Sequence, residues 1–222
     1  MEKEISKNGI EKTLLTCGVL AGPVYIVLGV IQMLIRPGFD PTRHDLSLMS
    51  NGDLGWIQIM NFILVGVLTI AGAFGLRSQL RGSRGGTWGP LLIGIYGLGL
   101  IGAGVFVADP MNGFPIGTPE GNPTVMSSHG LLHFMTGGIG FLAFIAACFV
   151  FASRFNHLKQ RGWAAFSGIT GLFFFAAFGG IAAGSQAGGA MLVFVTLAFT
   201  AAVILAWAWL SALSAYFIKS LK

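Results

Sequence analysis

Six long apolar runs constrain the fold of this chain more than any other feature. Each is close to the 20 or so residues that an α-helix needs to cross a bilayer, and lipid admits only helices and closed barrels as spanning structures. Charged residues make up only 9% of the chain, against about a quarter in soluble domains. The sequence therefore predicts an all-α fold, with six transmembrane helices in a single domain over residues 1–222. We place the spans at about residues 13–36, 55–76, 88–108, 129–153, 163–184 and 189–217.

The basic residues predict how these spans are oriented. Of the 13 lysines and arginines, all but Arg36 and Arg43 lie in the terminal segments or in the loops that follow the second and fourth spans. Cytoplasmic loops carry such an excess. We therefore expect a multi-pass protein of the cell membrane with both termini in the cytoplasm and the lipid bilayer as its partner. This asymmetry also accounts for the net charge of +5, so no nucleic-acid partner is predicted.

The longest polar interval between two apolar runs covers residues 109–133. Its proline and glycine content fixes turns, and a connection of this length is typically functional or disordered. We expect an ordered lid that folds over the bundle and touches the loop at 37–54. At its end His129 and His133 are four residues apart, so they share one face of the fourth helix.

Five polar residues are predicted to meet on the outer side of the membrane: His44, Asp45, Asp109, His129 and His133. Imidazole and carboxylate groups are typical zinc ligands, and a catalytic zinc site uses three of them and keeps one position open. We predict His129, His133 and Asp109 as the ligands of a Zn²⁺ ion. His44 or Asp45 would be the general acid or base of a hydrolase that acts on a lipid or another amphipathic substrate.

Structural interpretations of the same residues remain open. His133 could bond to a loop carbonyl, Asp109 could simply end the third helix, and Asp45 could pair with Arg43. The alternative functions are then a non-enzymatic protein that binds or transports a lipid or small amphipathic ligand, or a structural partner subunit. The sequence does not decide the oligomeric state.

Four further polar residues have predicted structural roles. Ser127 or Ser128 is a suitable N-cap for the fourth helix. Gln58 and Asn61 lie three residues apart in the second span, and amide side chains commonly join helices inside a membrane. We expect these two residues to bridge helices.

Four blocks of sequence resemble the family catalogued as domain of unknown function 998. They are TRHDLSLMSNGDLGWIQI, WGPLLIGIYGLGLIGAGVF, DPMNGFPIGTP and HGLLHF, and together with their surroundings they cover nearly the whole chain. The resemblance implies an integral membrane protein of six helices and no established activity. The combination of membrane-helix histidines with Ser and Asp is also distantly similar to ceramidase and adiponectin-receptor type hydrolases, which have seven helices.

Overall fold

The computed structural model describes residues 2–184 and 188–221. It contains six α-helices, each long and apolar enough to cross a membrane, and no β-strand among these residues. This confirms the predicted all-α fold. The helices are α1 (Glu2–Ile35), α2 (Gly55–Gln79), α3 (Trp88–Val105), α4 (Ser128–His157), α5 (Arg161–Gly184) and α6 (Gly189–Lys219), and a short 3-10 helix covers Leu46–Ser50.

Several helix ends differ from the predicted bounds. The charged N-terminal segment belongs to α1, which begins at Glu2, because its Glu and Lys residues are good helix formers. The third helix ends at Val105, where the chain becomes extended at Phe106. The fourth helix continues to His157. The connection predicted at 185–189 lies mostly outside the described residues.

The six helices form a closed ring in chain order. Each packs against its sequence neighbours, and α6 returns to pack against α1. Small residues allow the backbones to approach closely. A Cβ atom on Gly99 of α3 would lie 2.8 Å from the Cα of Gly140 in α4, and one on Gly72 of α2 would lie 2.8 Å from the Cα of Gly18 in α1. These two contacts allow close packing of α3 on α4 and of α1 on α2.

The two ends of the ring are filled differently. The end with the 80–87 and 158–160 connections, here called the basic face, is packed with aromatic rings. For example, Phe151 meets Trp209 and Phe155 stacks on Trp163. The opposite end, here called the loop face, carries residues 36–54 and 106–127. Near the loop face the helices enclose a cavity.

Candidate functional site

Residues 36–54 and 106–127 pack together as a roof over the loop face, and His44 joins the two segments. The backbone N–H of Asp40 donates to His44 Nδ1 at 2.9 Å, and His44 Nε2 lies 2.9 Å from the carbonyl oxygen of Asn112. A carbonyl oxygen only accepts, so Nε2 carries the proton. Both ring nitrogens are thus engaged within the roof, and His44 has no free ring atom through which to act as the predicted acid or base.

An apolar cluster beneath this histidine holds the roof together. It contains Phe39, Leu48, Met49, Ala108 and Phe114. The Phe39 and Phe114 rings meet edge to face, with centroids 5.3 Å apart, and the guanidinium of Arg36 lies over Phe114. On the outer rim Arg43 forms an ion pair with Glu120. These contacts confirm the prediction of an ordered lid in contact with the 37–54 loop.

The cavity under the roof has a volume of about 390 Å³. All six helices contribute to its wall, which is mainly aromatic and glycine-rich. Representative wall residues, one from each helix in order, are Tyr25, Phe62, Tyr96, Phe141, Phe178 and Trp207. Among the described residues its only ionisable groups besides tyrosine are Asp45, Asp109 and His133, and no Lys or Arg lines it. The site is therefore an apolar chamber with a few polar groups near its roof.

Asp45 is the roof carboxylate that faces this chamber without a partner. It lines the cavity, and its Oδ1 atom is buried and makes no hydrogen bond within the described part of the chain. Burial raises the pKa of Asp45 to about 6, because a low dielectric disfavours the charged form. The alternative pairing of Asp45 with Arg43 is wrong, since Arg43 pairs with Glu120 instead.

His133 lines the cavity from α4 and is fixed by the end of α3. Its Nδ1 lies 3.0 Å from the carbonyl oxygen of Ala103 and 2.7 Å from that of Phe106, and its ring meets Phe62 edge to face. Two acceptors at Nδ1 require a proton there. The neutral imidazole therefore carries its lone pair on Nε2, which has no protein partner among the described residues. The bond from His133 to backbone carbonyls matches the structural alternative.

Asp109 is engaged at the start of α4. Its Oδ2 accepts from the Ser127 N–H at 2.8 Å, and its Oδ1 accepts from the Ser127 hydroxyl. Ser127 in turn accepts from the Gly130 N–H at 2.9 Å, which confirms it as the N-cap. A carboxylate at this position also interacts favourably with the helix dipole.

His129 is exposed on α4, and its ring meets Phe106 edge to face. His133 and Asp109 both border the cavity, but within the described segments no three His, Cys, Asp or Glu side chains are placed to hold one metal ion. The roles predicted for His129, His133 and Asp109 at a zinc ion stay predictions. The fold brings two of these three residues to the chamber.

Comparison with known proteins gives a family. The family model described as protein of unknown function (DUF998) matches residues 19–216 of the chain. The chain belongs to the DUF998 family. The resemblance of the four sequence blocks is thereby confirmed. No curated protein and no solved structure matches it.

A network of buried amides flanks the cavity of this DUF998 protein. Gln32 of α1 donates to Gln58 Oε1 at 2.8 Å, and Asn61 donates to the same oxygen and to the Tyr25 carbonyl, each at 3.3 Å. This confirms that Gln58 and Asn61 bridge helices. Gln58 Nε2 and Asn61 Oδ1 are buried without partners among the described residues, so the network is only partly satisfied.

Three aromatic residues of this DUF998 cavity were not singled out from the sequence. Tyr25, Tyr96 and Trp207 meet one another in its wall, with ring centroids 5.0 Å apart for Tyr25–Trp207 and 5.8 Å for Tyr96–Trp207. Their positions in the sequence could have indicated them, because two of the chain's 3 tyrosines lie in the middle of apolar spans. Tyrosine and tryptophan usually lie at the membrane interfaces instead.

Proposed function

We propose that this chain is a membrane-embedded binding protein that takes up one amphipathic molecule from the bilayer. The apolar part would lie against the aromatic wall, and the polar head would lie beneath the roof near Asp45 and His133. The observation that carries the proposal is the cavity. Small-molecule sites are typically concave, of about 300–1,000 Å³, mostly apolar, with a few converging polar groups, and this chamber meets each of these criteria.

The outer surface of the bundle supports entry from the lipid. Met126 and Phe134 line the cavity, yet each residue is 53% exposed. Ala182 of α5 also lines the cavity and is exposed. We propose that the chamber opens to the surrounding lipid near these residues, beside the start of α4 and the end of α5. By the positive-inside argument we propose the cell membrane, with the roof outside and both termini in the cytoplasm.

Binding is a better match to this geometry than the zinc-dependent hydrolase. A catalytic zinc needs three protein ligands that converge, whereas the carboxylate of Asp109 is occupied by Ser127 and His129 is exposed. The two functions are separated by metal analysis of the purified protein. One zinc per chain, lost in His133→Ala together with a hydrolytic activity, would favour the enzyme over the binding protein.

The test of binding uses a substitution that places a bulky side chain in the wall of the cavity. Gly137 lines the cavity, and a Cβ atom added there meets nothing within 4 Å. We expect Gly137→Leu to fold normally and to lose amphipathic molecules that co-purify with the wild type, as measured by mass spectrometry of lipid extracts. Gly179→Leu is the matched control, because Gly179 is equally unobstructed but does not line the cavity. Identical extracts from all three proteins would contradict the proposal.

A further inference from the structure

Among the polar side chains that line the cavity near its roof, Asp45 and His133 offer hydrogen-bond acceptors, while Ser47 and Asn122 can also donate. Asp45 Oδ1 is buried and has no partner within the described residues. His133 donates through Nδ1 to the end of α3, so its neutral ring presents only the Nε2 lone pair. The buried Asp45 oxygen is costly to maintain without a partner, whereas His133 is partly exposed. A ligand head group that donates hydrogen bonds would satisfy the Asp45 carboxylate and would also find an acceptor at His133.

The same wall carries no positive charge among the residues that the structure describes. Among the described residues no Lys or Arg lines the cavity. The two arginines of the roof are already used. Arg36 donates to the carbonyl oxygens of Met49 and Asn51, and Arg43 pairs with Glu120. An anionic head group would therefore lose its hydration without gaining a cationic partner.

The neutral donors in the wall do not change this conclusion. Trp207 Nε1 is buried without a hydrogen-bond partner among the described residues, and the neighbouring Tyr96 carries a hydroxyl group. They can pair with an uncharged oxygen farther along a ligand. Neutral donors offset only part of the cost of burying a charge, and an anion would also meet the carboxylates of Asp45 and Asp109.

From these features we infer that the cavity selects amphipathic molecules whose head group is a hydroxyl or an amine, and that it rejects carboxylate, phosphate and sulfonate head groups. The donated hydrogens would go to Asp45 Oδ1 and His133 Nε2. This inference rests on the proposed binding function and adds to it the chemical class of the ligand.

The experiment compares two probes that share one chain, ω-bromododecanol and ω-bromododecane sulfonate, added to the protein in nanodiscs. Bromine quenches tryptophan fluorescence on contact, and Trp207 lines the cavity. Trp56 and Trp88 are exposed on the outside, so they report probe dissolved in the lipid. The signal from the site is the saturable quenching that disappears in both Trp207→Phe and Gly137→Leu.

We expect the alcohol to bind more tightly than the sulfonate by about ten-fold or more, because the sulfonate would bring a like charge beside the carboxylates of Asp45 and Asp109 at a buried site. In Asp45→Asn the preference should fall to about three-fold or less, because the amide removes the charge and adds donors. Circular dichroism and gel filtration of each variant check that it is folded.

The assigned head-group class and the proposed binding function can be refuted separately. Equal or tighter binding of the sulfonate to the wild type would overturn the assigned head-group class and leave amphipath binding in place. An unchanged preference in Asp45→Asn would remove Asp45 from the head-group site. If neither probe gives saturable quenching that Gly137→Leu abolishes, the proposed binding function itself is refuted.

Discussion

The buried carboxylate of Asp45 should reduce the stability of the free protein at neutral pH, and Asp45→Asn should restore it. Burial raises the pKa of Asp45 from 3.8 to about 6, a shift of about 2 units. Each unit corresponds to 1.36 kcal/mol, or about 3 kcal/mol in all. Asp45 is partly exposed to the cavity, and water there screens its charge. We therefore expect a gain of about 1–2 kcal/mol at pH 8.

The sign of the pH dependence follows from linkage. Below pH 3.8 the carboxyl is protonated in both the folded and the unfolded chain, so it imposes no penalty. As the pH rises from 3.8 to about 6, only the unfolded chain ionises freely, and the folded state loses stability. Above about pH 6 the penalty is complete. The advantage of Asp45→Asn should thus be largest at pH 8, fall to about half at pH 5 and vanish below about pH 3.

Unfolding in mixed micelles, driven by SDS and followed by far-UV circular dichroism, measures this difference at each pH. The wild type and the variant are compared at the same pH, so that the contributions of other titrating groups cancel. A lower stability of Asp45→Asn than of the wild type at pH 8 would refute the predicted cost of burying this carboxylate. A gain that stays constant between pH 8 and pH 5 would refute it equally, since the cause would then not be ionisation.

Three further predictions test the framework around the cavity. A cysteine at Gly121 should react with an impermeant reagent from outside intact cells while a C-terminal reporter reads cytoplasmic, and the reverse pattern would invert the proposed orientation. Gln58→Leu should lower the free energy of unfolding by about 1–2 kcal/mol, because it removes the side-chain oxygen that accepts from both Gln32 and Asn61; no loss would mean that the network is not stabilising. Asp109→Ala should cost about 1 kcal/mol through loss of the Ser127 contacts at the start of α4, whereas Asp109→Asn should retain part of that stability.

The helices could be predicted from the sequence because a bilayer imposes a minimum apolar length on every span. The bridging amides Gln58 and Asn61 could also be predicted, since an amide in a span has few partners other than a neighbouring helix. The lack of a partner for the Asp45 carboxylate among the described residues could not be predicted. It depends on Arg43 pairing with Glu120, 77 residues away, and a single sequence does not record that choice.

The orientation of His133 could not be predicted for a similar reason. His133 presents Nε2 to the chamber only because α3 ends at Val105 and exposes the carbonyls of Ala103 and Phe106. Helix ends are uncertain by a few residues when read from sequence, and a shift of that size would remove these acceptors. The H-x-x-x-H spacing alone therefore predicted two equivalent ligands, where the fold gives one bonded histidine and one exposed histidine.

The closure of the ring between α1 and α6 has a consequence for biosynthesis. The other neighbour contacts join helices that follow one another in the chain, so they can form as the nascent protein emerges from the N-terminus onward. The contact of Tyr25 with Trp207 joins the first helix to the last. Until the ribosome has delivered α6, the chamber is an open groove facing lipid, and an amphipath already in the bilayer can be enclosed as the ring shuts.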